Sequence, residues 1–253
     1  MNLGLKGKTA IILAASKGLG KASAIALAKE GANVVIGARN KEELDKTAQQ
    51  IINETQSTVL SVPTDVTILK DLEALVTRAV EEFHSIDILV TNAGGPPPGK
   101  FESFPDEQWR QAFELNFLST VRIIRLTLPY LKKSNNGRII NMISISAKQP
   151  VENLILSNSI RAGVLGMTKT LADEIASNNI TVNNILTGIF LTDRIRNLYD
   201  KKELEIVKNN IPLKRLGKPE EYGALVTFLA SEQASFITGT SIQIDGGLIR
   251  ALY

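Results

Sequence analysis

The chain has 253 residues, 43% of them hydrophobic, and a formal net charge of +3. That composition excludes a disordered chain; the lack of cysteine excludes disulfides and thiolate chemistry, and a single histidine, His84, excludes a multi-histidine metal site. The basic residues are scattered, so no nucleic-acid partner is expected, and no apolar run approaches the roughly 20 residues of a membrane span.

Residues 1–8 are too short for a secretion signal, so a cytoplasmic location is expected. Residues 9–13 form an apolar strand-type run. Ala14-Ala15-Ser16-Lys17-Gly18-Leu19-Gly20 follows as a small-residue turn, and 22–29 has helical periodicity. Strand, glycine turn and helix place a helix N-terminus where it can meet a pyrophosphate. Gly18 and Gly20 permit close backbone approach, while alanine stands where a first glycine is expected. Residues 33–37 read as a second strand ended by Ala38-Arg39-Asn40, and 41–53 as a helix.

The pattern then repeats. Residues 58–62 are a strand closed by Pro63, and 69–83 an amphipathic helix with Thr67 its expected N-cap. Residues 86–90 are a strand that runs into Asn92-Ala93-Gly94-Gly95 and three prolines. Residues 105–131 read as one long helix that Pro129 should stop or bend. Strand 138–143, an irregular stretch 144–152, helix 153–177 and strand 180–186 come next. Residues 189–216 have the polar composition of a lid, and helix 219–230 and strand 241–244 close the chain. Alternating strands and helices predict an α/β fold: one domain over 1–253, a doubly wound parallel sheet of seven strands with helices on both faces.

Ligands of such sheets bind at the carboxyl ends of the strands. The segments leaving those ends are 14–20, 38–40, 64–66, 92–95, 144–146 and 187–192. Asp65 there either caps a helix or accepts from an adenine amine. At the end of the second strand an acid would read the ribose 2′-OH of NAD; here Ala38 and Arg39 stand, with Lys17 in the phosphate turn. Two cations without a carboxylate suit the 2′-phosphate of NADP(H).

The whole chain resembles the short-chain dehydrogenase/reductase family, and within it the 3-oxoacyl-carrier-protein reductase-like branch. The matching features are the 15–20 turn, Asp65-Val66, Asn92-Ala93-Gly94, Asn116, Asn141-Met142-Ile143-Ser144, Thr238-Gly239 and Asp245-Gly246-Gly247. The resemblance implies a Rossmann-type fold, NADP(H), hydride transfer between the nicotinamide and a carbonyl or alcohol carbon of a small molecule, and a homotetramer. It makes Ser16, Lys17, Gly18, Leu19, Gly20, Arg39, Asp65, Val66, Asn92, Ala93, Gly94, Arg161, Ile189 and Thr192 the candidate cofactor set. The family's catalytic group is Asn, Ser, Tyr and Lys. Asn116 and Ser144 match the first two; Ser157 and Arg161 stand at the Tyr and Lys positions, and Thr187-Gly188 replaces the usual Pro-Gly. Asn116, Ser144, Ser157 and Arg161 are therefore the candidate catalytic group.

A serine hydroxyl is far less acidic than a phenol near pKa 10, so Ser157 is not expected to be the main proton donor. Arg161, four residues on, shares its helix face and is permanently charged; it is expected to be mainly a cofactor ligand. Water, Glu152 or Tyr130 are the other proton sources the sequence offers. Two readings follow: a carbonyl reductase with an altered acid, or a catalytically impaired NADP(H)-binding sensor or partner subunit. Surplus apolar residues on helices 105–131 and 153–177 (Val121, Ile124, Leu128, Val164, Leu165) point to packing between subunits.

Overall fold

The computed structural model describes residues 2–252. Seven strands, β1 (Thr9–Leu13), β2 (Asn33–Ala38), β3 (Val59–Pro63), β4 (Ile88–Thr91), β5 (Arg138–Ser144), β6 (Thr181–Thr187) and β7 (Ser241–Ile244), form one sheet in the order β3-β2-β1-β4-β5-β6-β7. Every pairing is parallel. The helices are α1 (Gly18–Lys29), α2 (Lys41–Thr55), α3 (Leu69–Phe83), α4 (Asp106–Phe113), α5 (Ser119–Lys133), α6 (Ile155–Ile175), α7 (Asp193–Leu198), α8 (Lys201–Asn210) and α9 (Pro219–Ala230).

The strand period of two divides the core. In β1, Ala10 and Ile12 face one side, packed with Leu27, Leu44, Val226 and Leu229 of α1, α2 and α9. Ile11 and Leu13 face the other, with Leu72, Leu75, Ile123 and Ile175 of α3, α5 and α6. Both faces are covered, which is why the strands read as continuous apolar runs rather than alternating ones. The chain leaves β1 toward β2 and β3 and returns to its other side as β4, so the crevice for a ligand opens at the carboxyl ends of β1 and β4.

Several expectations change. Asp87 is not in a strand; it lies at the amino end of β4 and accepts from the Thr9 backbone N–H and the Ser134 hydroxyl. The single helix expected over 105–131 is α4, a π turn (Glu114–Leu118) and α5. Pro129 does not stop α5, which continues to Lys133: it removes one N–H near the helix end, opposite the exposed Arg125, where solvent can replace the partner. Thr67 does not cap α3; Ile68 precedes that helix, and the Thr67 hydroxyl donates to Asp65 at 2.7 Å. Of the apolar residues expected to lie between subunits, Ile124 and Val164 are buried within this one, Ile124 in the core under α3 and α5 and Val164 with Ile143 and Leu186 of the sheet. Among the described residues no helix is long and apolar enough to cross a membrane.

Candidate functional site

The turn after β1 is closed by small residues. A Cβ added at Gly20 would lie 2.5 Å from the Ala14 carbonyl oxygen, a contact only glycine avoids, and Gly18 has φ +60°. Ala14 itself sits at φ +48°, an uncomfortable region for a residue with a Cβ. Lys17 precedes α1 and offers no side-chain cap, so the first N–H groups of the helix remain open at the crevice. Thr192, at the start of the lid, stands over the same turn, its Cγ2 3.6 Å from where a Gly18 Cβ would be. Glycine cradle, open N–H groups and an overlying threonine fit a dinucleotide diphosphate. Leu19 turns away and packs on the core, and the Val66 side chain is likewise a core group.

At the end of β2, Asn40 caps α2 by accepting from the Glu43 backbone N–H, leaving Arg39 exposed at the rim. The expected pair of cations without a carboxylate is not what forms: Lys17 Nζ lies 3.4 Å from Glu43 Oε2. Both side chains are exposed, so the pair contributes less than about 1 kcal/mol and yields to a stronger anion. Asp65 spends Oδ1 on the Thr67 N–H and hydroxyl, the turn role that its position at a helix start allows.

The second half of the site is assembled by the π turn. Its extra residue interrupts the α4–α5 ladder at Asn116, whose Nδ2 donates to the Gly94 carbonyl at 2.7 Å. Arg161 of α6 donates to the same carbonyl through Nη2 at 3.4 Å. Both side chains are buried, yet Asn116 Oδ1 and Arg161 Nε have no partner. They line one small pocket with Thr91, Asn92 and Ala93, large enough for about one water. Burial, with repulsion from Arg194 next in size, pushes the Arg161 guanidinium down to about 10, so it stays charged at neutral pH.

Ser144 ends β5 and accepts from the Ser146 N–H at 3.1 Å, which leaves its hydroxyl proton free for a ligand. Ser157 lies one helical turn before Arg161 but does not meet Ser144. Its hydroxyl is 2.9 Å from that of Ser146, and both are buried. Ser146 was not read from the sequence; its only signal was its place after a strand end. Tyr130 is not a proton source for this edge: its carbonyl receives the N–H of Ser134, whose hydroxyl bonds Asp87 at the opposite end of the sheet. Glu152 is exposed in the loop before α6. Tyr222, fully buried, has its phenol pushed up by burial and hydrogen-bonded to Thr187 at 3.1 Å, so it too holds its proton. Beneath the site, Thr91, Asn141, Thr168, Asn184 and the half-buried Ser241 form one polar chain from β4 to β7. That chain keeps the strand ends in register and is satisfied throughout, unlike the pocket above it.

Fold and site together define a dinucleotide-type α/β protein with a hydroxyl and a buried cation at its crevice. A family model described as enoyl-(acyl carrier protein) reductase matches residues 13–249. The chain is 36% identical over 248 residues to 3-oxoacyl-[acyl-carrier-protein] reductase FabG of Thermotoga maritima, covering 97% of this chain and 99% of that one. It is 35% identical over 245 residues to dehydrogenase/reductase SDR family member 4 of Sus scrofa, covering 96% and 88%. L-sorbose reductase of Gluconobacter frateurii, solved with NADPH and L-sorbose, superposes with a TM-score of 0.96 at 34% identity over 100% of both chains. The chain belongs to the short-chain dehydrogenase/reductase family of oxidoreductases.

Proposed function

We propose that the protein is an NADP(H)-dependent reductase of a small carbonyl compound, with Ser144 and Arg161 as its working groups and Ser157 in a supporting place. The observation that carries this reading is the buried, charged Arg161 aimed with Asn116 at the Gly94 loop, on the same sheet edge where β5 ends in a Ser144 hydroxyl with its proton uncommitted. The L-sorbose reductase solved with NADPH supports the choice of cofactor. Ser16 to Gly20 and Thr192 would hold the diphosphate, Arg39 and Lys17 the 2′-phosphate, Asp65 and Val66 the adenine, and Asn92 to Gly94, Arg161 and Ile189 the nicotinamide half. Bound NADPH supplies the hydride. Ser144 donates to the substrate oxygen, and Arg161 stabilises the negative charge that develops there. Arg161 keeps its own proton, so the proton that completes the alcohol comes from water, which the Asn116–Arg161 pocket has room to hold. Packing as a homotetramer belongs to this reading, on the half-buried Val121, Leu128 and Leu165.

The test is NADPH oxidation with a panel of ketones, diketones and 3-oxoacyl thioesters. Ser144→Ala is expected to lower kcat/KM by about 100-fold, the scale of losing one donor to a developing oxyanion. Ser157→Ala is expected to change it by less than about tenfold, below the effect of a positioned general acid. NADPH binding with no turnover on any member would favour the sensor or partner-subunit reading; loss of activity in Ser157→Ala equal to that in Ser144→Ala would reverse the two serines.

A further inference from the structure

The lid carries seven cations between residues 189 and 216: Arg194, Arg196, Lys201, Lys202, Lys208, Lys214 and Arg215. Lys208 pairs with Glu205 and Arg215 with Glu221, and Lys214 donates to the Asn209 carbonyl. Arg194 is placed differently. It lies at the start of α7, yet its guanidinium reaches across to the loop after β4. A Cβ added at Gly95 would be 3.0 Å from Nη2 and 3.3 Å from Nη1, so the guanidinium occupies the space that Gly95 leaves empty. Among the described residues no carboxylate lies within ion-pair distance of Arg194 or of Arg161.

Arg194 and Arg161 therefore bring two unneutralised guanidinium groups to one loop. They repel, and this repulsion is the second contribution, after burial, to the lowered Arg161. Arg161 is the buried member, with Nε still unpartnered; Arg194 is the exposed one. The loop between them is stiffened by Pro96, Pro97 and Pro98 and tied by a bridge from Gly99 to Leu154, just ahead of α6. Two like charges held at a rigid cleft without an acid destabilise the empty protein and are relieved by an anion.

The two lid contacts fall on different loops. Thr192 stands over Gly18, at the diphosphate turn, whereas Arg194 stands over Gly95, beyond the Gly94 carbonyl that Asn116 and Arg161 share. The guanidinium is thus set over the loop after β4, where the proposed nicotinamide half would lie, and not over the phosphate turn after β1. A planar fork matches a carboxylate in bidentate fashion.

We propose that the substrate carries a carboxylate close to its reacting carbonyl, an oxo acid, and that Arg194 is the residue that selects it. This rests on the carbonyl-reductase reading above and narrows its substrate class. Closure of α7 over the cleft and recognition of the acid are then one event, because the recognising group is on the lid.

The probes are 2-oxohexanoate and its methyl ester, which present the same ketone with and without the charge. With NADPH, the wild-type protein is expected to favour the acid by about 30-fold or more in kcat/KM, and Arg194→Gln to reduce that ratio to about threefold or less through the KM of the acid. Arg194→Lys should recover part of the preference, and about 0.5 M KCl should erode it, since the group is exposed. NADPH affinity, titrated separately, should change by less than about twofold in Arg194→Gln. Equal use of acid and ester by the wild type overturns the proposal. So does a parallel loss of NADPH affinity in Arg194→Gln, which would make Arg194 a ligand of the cofactor phosphates. If NADPH binds but neither compound is reduced, the carbonyl-reductase reading fails for this class, and hexanoate titrated onto the NADP+ complex decides the present proposal alone. Binding weakened about tenfold by Arg194→Gln supports it; no binding overturns it.

Discussion

The two ends of the sheet carry similar polar groups and use them in opposite ways. At the amino end, Asp87 is buried and saturated: it accepts from the Thr9 N–H, Lys8, Ser85 and Ser134, joining β1, β4 and the end of α5. Arg138 beside it is 1% exposed and places Nε and Nη1 on the carbonyls of Ser231, Gly137 and Asn179. At the carboxyl end, Arg161 is 9% exposed but has one weak bond, and the Asn116 oxygen beside it has none. A buried charge surrounded by carbonyls stabilises the fold; one left short of partners is held for a ligand. The difference shows that burial alone does not mark a site. Arg138 Nη2 lacks a partner too, so a deficit of partners marks a site only where it opens on a pocket, as it does at Asn116 and Arg161.

The comparison predicts opposite signs for removing a charge at each end. The largest effect on stability is expected from Asp87→Ala, which strands the Thr9 N–H and several hydroxyls and should lower the unfolding free energy by about 3 kcal/mol in urea melts. NADPH affinity per folded molecule should be unchanged. Gly20→Ala probes the other end: its Cβ would press on the Ala14 carbonyl, and NADPH binding by titration should fall by about 100-fold or more, near 2.7 kcal/mol, with a smaller loss of stability.

Arg161→Met sharpens the contrast. It removes a buried cation that burial holds below its ordinary pKa. The cofactor-free protein should gain about 1–2 kcal/mol in the same melts, while NADPH binding and turnover weaken. The gain should be flat across neutral pH. A base with a lowered folded pKa leaves the native state with fewer bound protons only above that value, so wild type should recover stability relative to the variant only as pH rises past about 10. A loss of stability in Arg161→Met would place this arginine with Arg138, as part of the scaffold. The smallest effect is expected from Ala14→Gly. At φ +48° glycine relieves strain in the folded turn, and the melting free energy should rise by about 0.5–1 kcal/mol.

Much of this was legible in the residues. Apolar runs separated by helical periodicity determined a seven-stranded parallel fold, because strands covered on both faces must be apolar throughout and parallel neighbours must be joined by crossovers. Gly18, Gly20 and Ser144 were placed on one edge by the rule that strands of such a sheet deliver their loops to one side; Asn116 and Arg161, which lie on helices, were reached only through the family resemblance. Boundaries were less legible: a proline near a helix end is tolerated where solvent can serve the freed carbonyl, and a π turn has no periodicity of its own within a single helical pattern.

What the sequence by itself determined is therefore the fold class, with its seven parallel strands, and the edge at which chemistry would gather, since both follow from local periodicity and from which residue types tolerate tight turns. The tertiary structure alone decided the pairings within that edge. Ser157 found Ser146 rather than Ser144, Lys17 found Glu43, and Arg194 reached across from the lid to the space over Gly95. Each joins a helix to a separate turn or loop, and Lys17 to Glu43 or Arg194 to Gly95 spans dozens of residues of chain. A contact of that kind depends on how strand ends are offset in space, and no local pattern of residues encodes the offset.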